Sequence, residues 1–287
     1  MIQRVEKIIE KFFLLSALFS ALITFSIFLF LFFLGLPLIT GGHFFALLTE
    51  PWAPHLNQFG IVPMIAGTLV ISLLSMLVAF PISLGCSILI HIKSKSVFSR
   101  FLAKAAALMT GIPTVIYGFV GIFLLVPLIR EIFDSGSGLC VLTAVFMVSL
   151  LVAPTMILFF CDSFARVPRS YGNAVLAIGG SDIQKFLYVT LPHAWPGVLV
   201  GFTLALGRAL GDTLIALMIA GNAVQVPGSL FDSARTLTSH IALIFAADYE
   251  SMEFKAIFAC GMFLYLFSTA LVLLVRYITG HRSSMCR

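Results

Sequence analysis

Apolar residues run in long blocks along this chain, with neither the strict alternation of a half-buried strand nor the polar face of a surface helix. Uncharged or nearly uncharged stretches occupy 12–38, 60–90, 105–129, 139–161, 195–220 and 256–275. A helix needs about 20 mostly apolar residues to cross the hydrocarbon of a bilayer, so the pattern predicts six membrane-spanning helices. Lipid admits only helices and closed barrels, because it holds no water to satisfy backbone polar groups. Barrel strands alternate polar and apolar residues, which these blocks do not. The fold class expected is all-α and polytopic.

Composition agrees: 60% of residues are hydrophobic and 10% charged, where soluble domains keep about a quarter charged. The placement of charge then orients the chain. With an even number of spans both termini share one side, and that side holds 13 of the 17 Lys and Arg residues. They are Arg4, Lys7, Lys11, Lys93, Lys95, Arg100, Lys104, Arg166, Arg169, Lys185, Arg276, Arg282 and Arg287. Arg130, Arg235 and Lys255 fall on the other side, and Arg208 lies within a span. Positive residues stay cytoplasmic, so both termini and the loops at 91–104 and 162–194 are expected in the cytosol. The net charge of +5 is thus a matter of topology, and no soluble basic surface suggests nucleic acid. The first apolar run is too long for a secretion signal and lacks a cleavage site, so it is expected to remain as a span. Cys86, Cys140, Cys161, Cys260 and Cys286 are scattered, with no metal or disulfide spacing.

Outside the spans there is little chain. The loop 39–59 carries Gly41, Gly42, Pro51, Trp52 and Pro54 and is expected along the membrane surface. The loop at 222–255 holds Asp248, Glu250 and Glu253. On the cytosolic side, two short helices are predicted between Arg169 and Leu191. Gly179 and Gly180 end the first, since glycine tolerates left-handed helix termini. Ser181 and Gln184 have the spacing of a capping box that opens the second, which Leu191-Pro192 is expected to terminate. The apolar positions Val175, Ile178, Ile183, Phe186, Leu187 and Val189 need burial, either on the bundle's own inner face or against a separate motor subunit.

Candidate chemistry centres on Arg208 and Asp212. A charge at mid-span costs about 2.5–3.5 kcal/mol on insertion scales and is a functional hypothesis by default. Four residues apart, the two share a helical face and can pair, on a stripe with Gly201 and Ala205. The guanidinium's planar fork suits tetrahedral oxyanions; a structural ion pair between spans is the alternative. Gly111 and Pro113 interrupt the third span and Pro81 the second, either for packing or to aim helix ends at an anion. Gly197-x3-Gly201 and Gly207-x3-Gly211 fit close helix approach. His91, His193 and His240 form no ligand set. The chain carries no phosphate-binding loop and no hydrolase or metalloprotease motif, so it is not expected to be an enzyme, to hydrolyse ATP or to hold a cofactor or metal.

Asn173-Ala174-Val175, Gly179 and Val189-Thr190-Leu191-Pro192 resemble the signature loop of ABC-importer permeases, Glu-Ala-Ala-x3-Gly-x9-Ile-x-Leu-Pro, with Asn173 in place of Glu and Val175 in place of the second Ala. Gly111 to Gly118, Gly207 to Thr213, Ala220-Gly221-Asn222 and Arg235 to Ala242 resemble the phosphate-importer permeases, the C-type subunit more than the A-type. Where that family usually has Glu, this chain has Asp212. The resemblance implies a type I importer domain over 59–280, with a coupling loop at 162–194, preceded by a helix and outer loop at 1–58. It implies an ATPase at Asn173, Ala174, Gly179, Leu191 and Pro192, an A-type permease as heterodimer partner, and an extracytoplasmic phosphate-binding protein on the outer loops. It places Pro113, Thr114 and Tyr117 with Arg208 and Asp212 along the substrate pathway. Molybdate, sulfate or phosphonate permeases share the loop motif, and an ATP-independent channel or scaffold is the reading from another class.

Overall fold

The protein is described from a computed structural model covering residues 2–38, 44–134, 136–246 and 251–285. Gly41, Gly42, Asp248 and Glu250 lie outside the described residues. The chain begins with α1 (Ile2–Leu38), followed by α2 (Phe44–Thr49) and a two-stranded hairpin of β1 (Trp52–Ala53) and β2 (Gln58–Phe59). Then come α3 (Val62–Ile92), α4 (Val97–Thr110), α5 (Thr114–Val120), α6 (Val126–Phe133) and α7 (Val141–Ala165). The chain continues through α8 (Arg169–Ala177), α9 (Asp182–Lys185), α10 (Leu191–Gly211), α11 (Leu214–Ile219), α12 (Leu237–Ile244) and α13 (Met252–Met285).

Six helical stretches are long and apolar enough to cross a membrane, at Ile9–Gly35, Val62–Ile92, Thr114–Phe133, Val141–Ala165, Asp182–Gly211 and Met252–Ile278. Each answers to one of the apolar blocks, but three boundaries differ. The block at 105–129 divides: Ala105 to Thr110 belong to α4, and the helix breaks at Gly111–Pro113 before α5 starts. Proline's missing N–H and the extended backbone imposed on the residue before it account for the break. The block at 195–220 was expected as one span, yet its helix stops at Gly211 and Asp212 is extended, with φ −69 and ψ 126. Leu191-Pro192 does not end the second loop helix, because α9 runs on through a π turn at Phe186–Thr190 into α10. The Leu191 N–H reaches back to Phe186 O, and Pro192 follows, with no N–H to donate. The same device recurs at Gly121–Leu125, where the Val126 N–H bonds Gly121 O immediately before Pro127. The widened turn makes room for the proline ring, so each helix passes its proline unbroken.

At the centre stands α7, with α3 and α10 packed on it around Ile71, Val148, Leu151, Met156, Phe160, Val198 and Ala205. Lipid gives no hydrophobic drive between spans, so small residues and hydroxyl bonds hold them. The Ser75 hydroxyl donates to Val145 O at 3.1 Å, and Ser83 to Ala153 O at 3.2 Å. Gly201 lets α10 approach α7 closely, since a Cβ there would fall 2.8 Å from that of Phe159. The stripe of Gly201 and Ala205 is therefore a packing face, whereas Gly207 and Gly211 face open space. Helix α3 continues through the exposed Pro81. Helix α1 lies outside this core along α13, with Phe28 against Tyr265 at 5.2 Å, and turns Phe12, Phe19, Phe25 and Phe33 outward as lipid-facing residues do. Leu47 of α2 buries with Met64, Leu237 and Cys260 in a smaller cluster, and Trp52 packs T-shaped on His240.

Candidate functional site

Arg208 occupies the last turn of α10, half-buried, and its Nη1 donates to Thr155 Oγ1 at 3.0 Å. Asp212 is almost fully buried just beyond the helix end, and its Oδ2 accepts from the Ile215 N–H at 3.0 Å. That bond caps the start of α11 as N-terminal carboxylates do. The expected helical pairing of Arg208 with Asp212 is therefore not formed. The helix ends between them, and the carboxylate turns to α11, so no ion pair joins them among the described residues. Arg208 is a cation steadied by a hydroxyl and not neutralised by contact.

Both residues line one open cavity of 380 Å³ with Thr114, Leu151, Gly211, Thr213 and Leu214. It lies where two helix breaks meet, the start of α5 and the end of α10. The structure thus brings together Thr114, Arg208 and Asp212 of the sequence-derived set. Pro113 precedes Thr114 as the N-cap of α5. Tyr117 does not line this cavity: it is buried, and its hydroxyl donates to Met109 O at 3.0 Å, tying α5 back to α4 across the break.

Several supporting residues lie outside the predicted site set, although Arg235 to Ala242 carry part of the family resemblance. Thr155 gives no signal beyond a hydroxyl beside Pro154. The Thr238 hydroxyl donates to Asp212 O at 2.7 Å and fixes the extended turn. Thr236 and Ser239 form a capping box for α12, whose spacing is legible but lay in a stretch read as loop. The Leu237 N–H donates to Thr68 Oγ1, a contact between residues 169 apart in sequence. Arg235 donates through Nε to Asn222 O at 2.9 Å, and its Nη1 lies 3.5 Å from His240 Nδ1. A guanidinium only donates, so Nδ1 accepts, and Nε2, buried without a hydrogen-bond partner, carries the proton. Burial, and then the charge of Arg235, push the His240 imidazole down to about 3.

The loop after α7 is built as its residues dictate. At the end of α8 the Gly180 N–H bonds Val175 O and the Gly179 N–H bonds Leu176 O, with Gly179 at φ +85. This is the paired terminus that glycine favours. The Ser181 hydroxyl then accepts from the Gln184 N–H and the Gln184 side chain from the Ser181 N–H, completing the predicted box. Only part of the apolar stripe is buried on the bundle's own face. Phe186 is buried edge-on against Phe164 at 5.0 Å. Ile178, Ile183, Leu187 and Tyr188 stay uncovered, Ile178 at 86% exposure. Asn173 and Ala174 are exposed on α8, while Leu191 and Pro192 open α10.

The geometry defines a helical membrane protein with a charged cavity at two helix breaks and an apolar loop left uncovered on one face. Residues 79–282 match the binding-protein-dependent transport system inner membrane component family, and the chain belongs to it. It is 31% identical to the probable ABC transporter permease protein YqgH of Bacillus subtilis, over 78% of this chain and 73% of that one. It is 29% identical to the phosphate transport system permease protein PstC of Pasteurella multocida, over 79% of this chain and 77% of that one. Among solved structures, a bacterial alginate ABC transporter in complex with its pentasaccharide-bound periplasmic protein shares the fold, with a TM-score of 0.63 and 18% identity over 96% of each chain. An inward-facing MetNI methionine ABC transporter does so at 0.60 and 18% identity, over 76% of this chain and 95% of that one. The chain is a multi-pass permease subunit of the type I importer fold.

Proposed function

We propose that this chain forms the translocation pathway for inorganic phosphate in an ATP-driven importer, through a permease domain at 59–280 to which residues 1–58 add a peripheral helix and outer loop. One observation carries the reading. A guanidinium with no carboxylate in ion-pair contact lines a cavity at the far end of an unbroken helix that begins in the exposed loop. That helix, Asp182–Gly211, has 30 residues and is about 45 Å long at 1.5 Å per residue. An ATPase seated on Ile178, Ile183, Leu187 and Tyr188 moves the near end, and Arg208 moves with the far end. Binding at the loop is thereby converted into a change at the anion's path, with no ATP chemistry in this chain.

At the cavity, Thr155 holds one guanidinium nitrogen and leaves the remaining N–H groups for an oxyanion. Asp212 keeps the backbone turned open beneath them, and Thr114 adds a hydroxyl from the facing break. Permease relatives named for phosphate transport support that anion as the substrate. Both termini and the loop 162–194 lie in the cytosol, the outer loops receive an extracytoplasmic binding protein, and an A-type permease completes a heterodimer. The test is phosphate uptake by the reconstituted complex, with Arg208→Gln as the variant and molybdate, sulfate and phosphonate as competitors. Uptake unaffected by Arg208→Gln removes the pathway assignment, and a competitor taken up in preference to phosphate replaces the substrate.

A further inference from the structure

On the face that bears the loop lies a second cavity, of 470 Å³, which plays no part in the pathway just described. Its walls are the ends of α3 and α7, the helix α8, and the π turn that leads into α10. The polar side chains reaching it are His91, Ser94, Asn173, Lys185 and Thr190, and no Asp or Glu lines it. Thr190 is the most informative of them. It is only 4% exposed, yet its hydroxyl has no hydrogen-bond partner among the described residues. The hydroxyl oxygen itself is accessible, and Thr190 borders both this cavity and the small recess beside it. The side chains of His91, Ser94 and Asn173 likewise make no hydrogen bond to the described protein.

Lys185 is held at the same place by packing. Its stem crosses Gly172, where a Cβ would fall 2.5 Å from Cε, so the missing side chain is what admits the lysine. Asp182 stands 4.0 Å from the ammonium, at the outer limit of an ion pair, and lines an adjoining small recess that shares His91, Lys185 and Thr190 with the cavity. One ammonium, one imidazole, one amide and two hydroxyls thus line this cavity, whose own wall carries no carboxylate, with Asp182 in the adjoining recess. Donors in that number match the several acceptor oxygens of a phosphoryl group, and the ammonium makes the bond charge-assisted.

We propose that this cavity binds a phosphoryl oxyanion, either inorganic phosphate on the loop face or the phosphate of an anionic lipid headgroup. Occupancy joins α8 to the ends of α3 and α7 and so braces the loop that the ATPase engages. The inference rests on the donors themselves, and only the choice of inorganic phosphate as one source rests on the proposed transport function.

The experiment uses the full chain carrying Cys161→Ala and Ala165→Cys, an exposed position on the cavity wall, in nanodiscs of zwitterionic lipid. Inorganic phosphate, exchanged for chloride at constant ionic strength, should slow alkylation of the new thiol, followed by peptide mass spectrometry. Lys185→Gln should raise the phosphate concentration for half-protection about tenfold, the factor for losing one charge-assisted hydrogen bond. Asn173→Asp deletes no packing but adds a like charge, and should abolish protection. Nanodiscs containing phosphatidylglycerol and no free phosphate form the second arm, and protection there that Lys185→Gln removes makes the headgroup the ligand. No protection in either arm, or protection that survives both Lys185→Gln and Asn173→Asp, overturns the site. Arg208→Gln should leave protection intact even if it stops transport. Loss of protection in Arg208→Gln assigns the effect to the pathway cavity and equally overturns the proposal.

Discussion

At the scale of single residues, the charge on Arg208 and the neutrality of His240 each lead to a measurable outcome. Arg208 is hydrogen-bonded to Thr155 and makes no contact ion pair with Asp212, so removing the carboxylate should not repair the loss of the guanidinium. Arg208→Gln should abolish phosphate uptake with the complex still assembled, and Arg208→Lys should restore little of it, because an ammonium lacks the planar fork. The double variant Arg208→Gln/Asp212→Asn should stay assembled and inactive. A structural ion pair predicts recovery instead, since neutral replacement of both partners is often tolerated. Asp212→Asn alone keeps a capping oxygen for the Ile215 N–H, while Asp212→Ala should lower stability by about 1 kcal/mol, the usual loss of an N-cap. His240 titrates at about 3 in the folded chain, well below its ordinary 6.5, so the unfolded state binds the extra proton first. Its contribution to stability is complete above pH 6.5 and declines as pH falls toward 3. Between pH 7 and pH 5 this amounts to about 2 kcal/mol. Thermal unfolding of the full chain in detergent should show that slope, and His240→Gln should flatten it.

At the scale of elements, local chemistry was legible wherever a few neighbouring residues decide the backbone. Gly179-Gly180 and Ser181-x-x-Gln184 predicted the turn between α8 and α9, and the bonds are in place. Gly179 at φ +85 makes a sharp prediction, because a residue with a Cβ loses about 1–2 kcal/mol in that geometry. Gly179→Asp should therefore loosen α8 against α9 and lower ATPase binding and transport, with membrane insertion unchanged. Full uptake and an undiminished ATPase content in the purified complex would leave the loop with a structural role alone. Legibility failed where hydropathy and helix geometry part company. The block at 195–220 is apolar throughout except for Arg208 and Asp212, so nothing in its hydropathy marks a helix end at Gly211. The break is made by Asp212 capping α11 and by Thr238 arriving from a segment 26 residues further on. Pro192 misled in the opposite direction, because the π turn before it lets the helix continue. The same two devices make the site: the end at Gly211 opens the cavity beside Arg208, and the continuity at Pro192 connects Arg208 to the loop.

At the scale of the whole molecule, six apolar blocks gave six spans, because the free energy of leaving water is summed over about 20 residues and is insensitive to the bonding of any one. The packing of those spans was not legible in the same way. It depends on partners such as Ser75 with Val145 and Thr68 with Leu237, which are distant in sequence and carry no local pattern. Orientation rests on a different quantity again, the distribution of 17 basic residues along the chain. Ser94 lies between α3 and α4, in the segment with Lys93, Lys95 and Arg100, and Ser137 lies between α6 and α7, where Arg130 is the nearest cation. Helix α7 crosses the bundle between Ser137 and the loop 162–194, so the two sides are fixed relative to each other by the fold. Retention of positive charge at the cytoplasmic face then predicts the absolute sense. A membrane-impermeant thiol reagent applied to intact cells should label Ser137→Cys and leave Ser94→Cys unreacted until the membrane is permeabilised. The opposite pattern would invert the topology, put α8 and its uncovered Ile178 on the outer face, and leave no cytosolic seat for an ATPase on this chain.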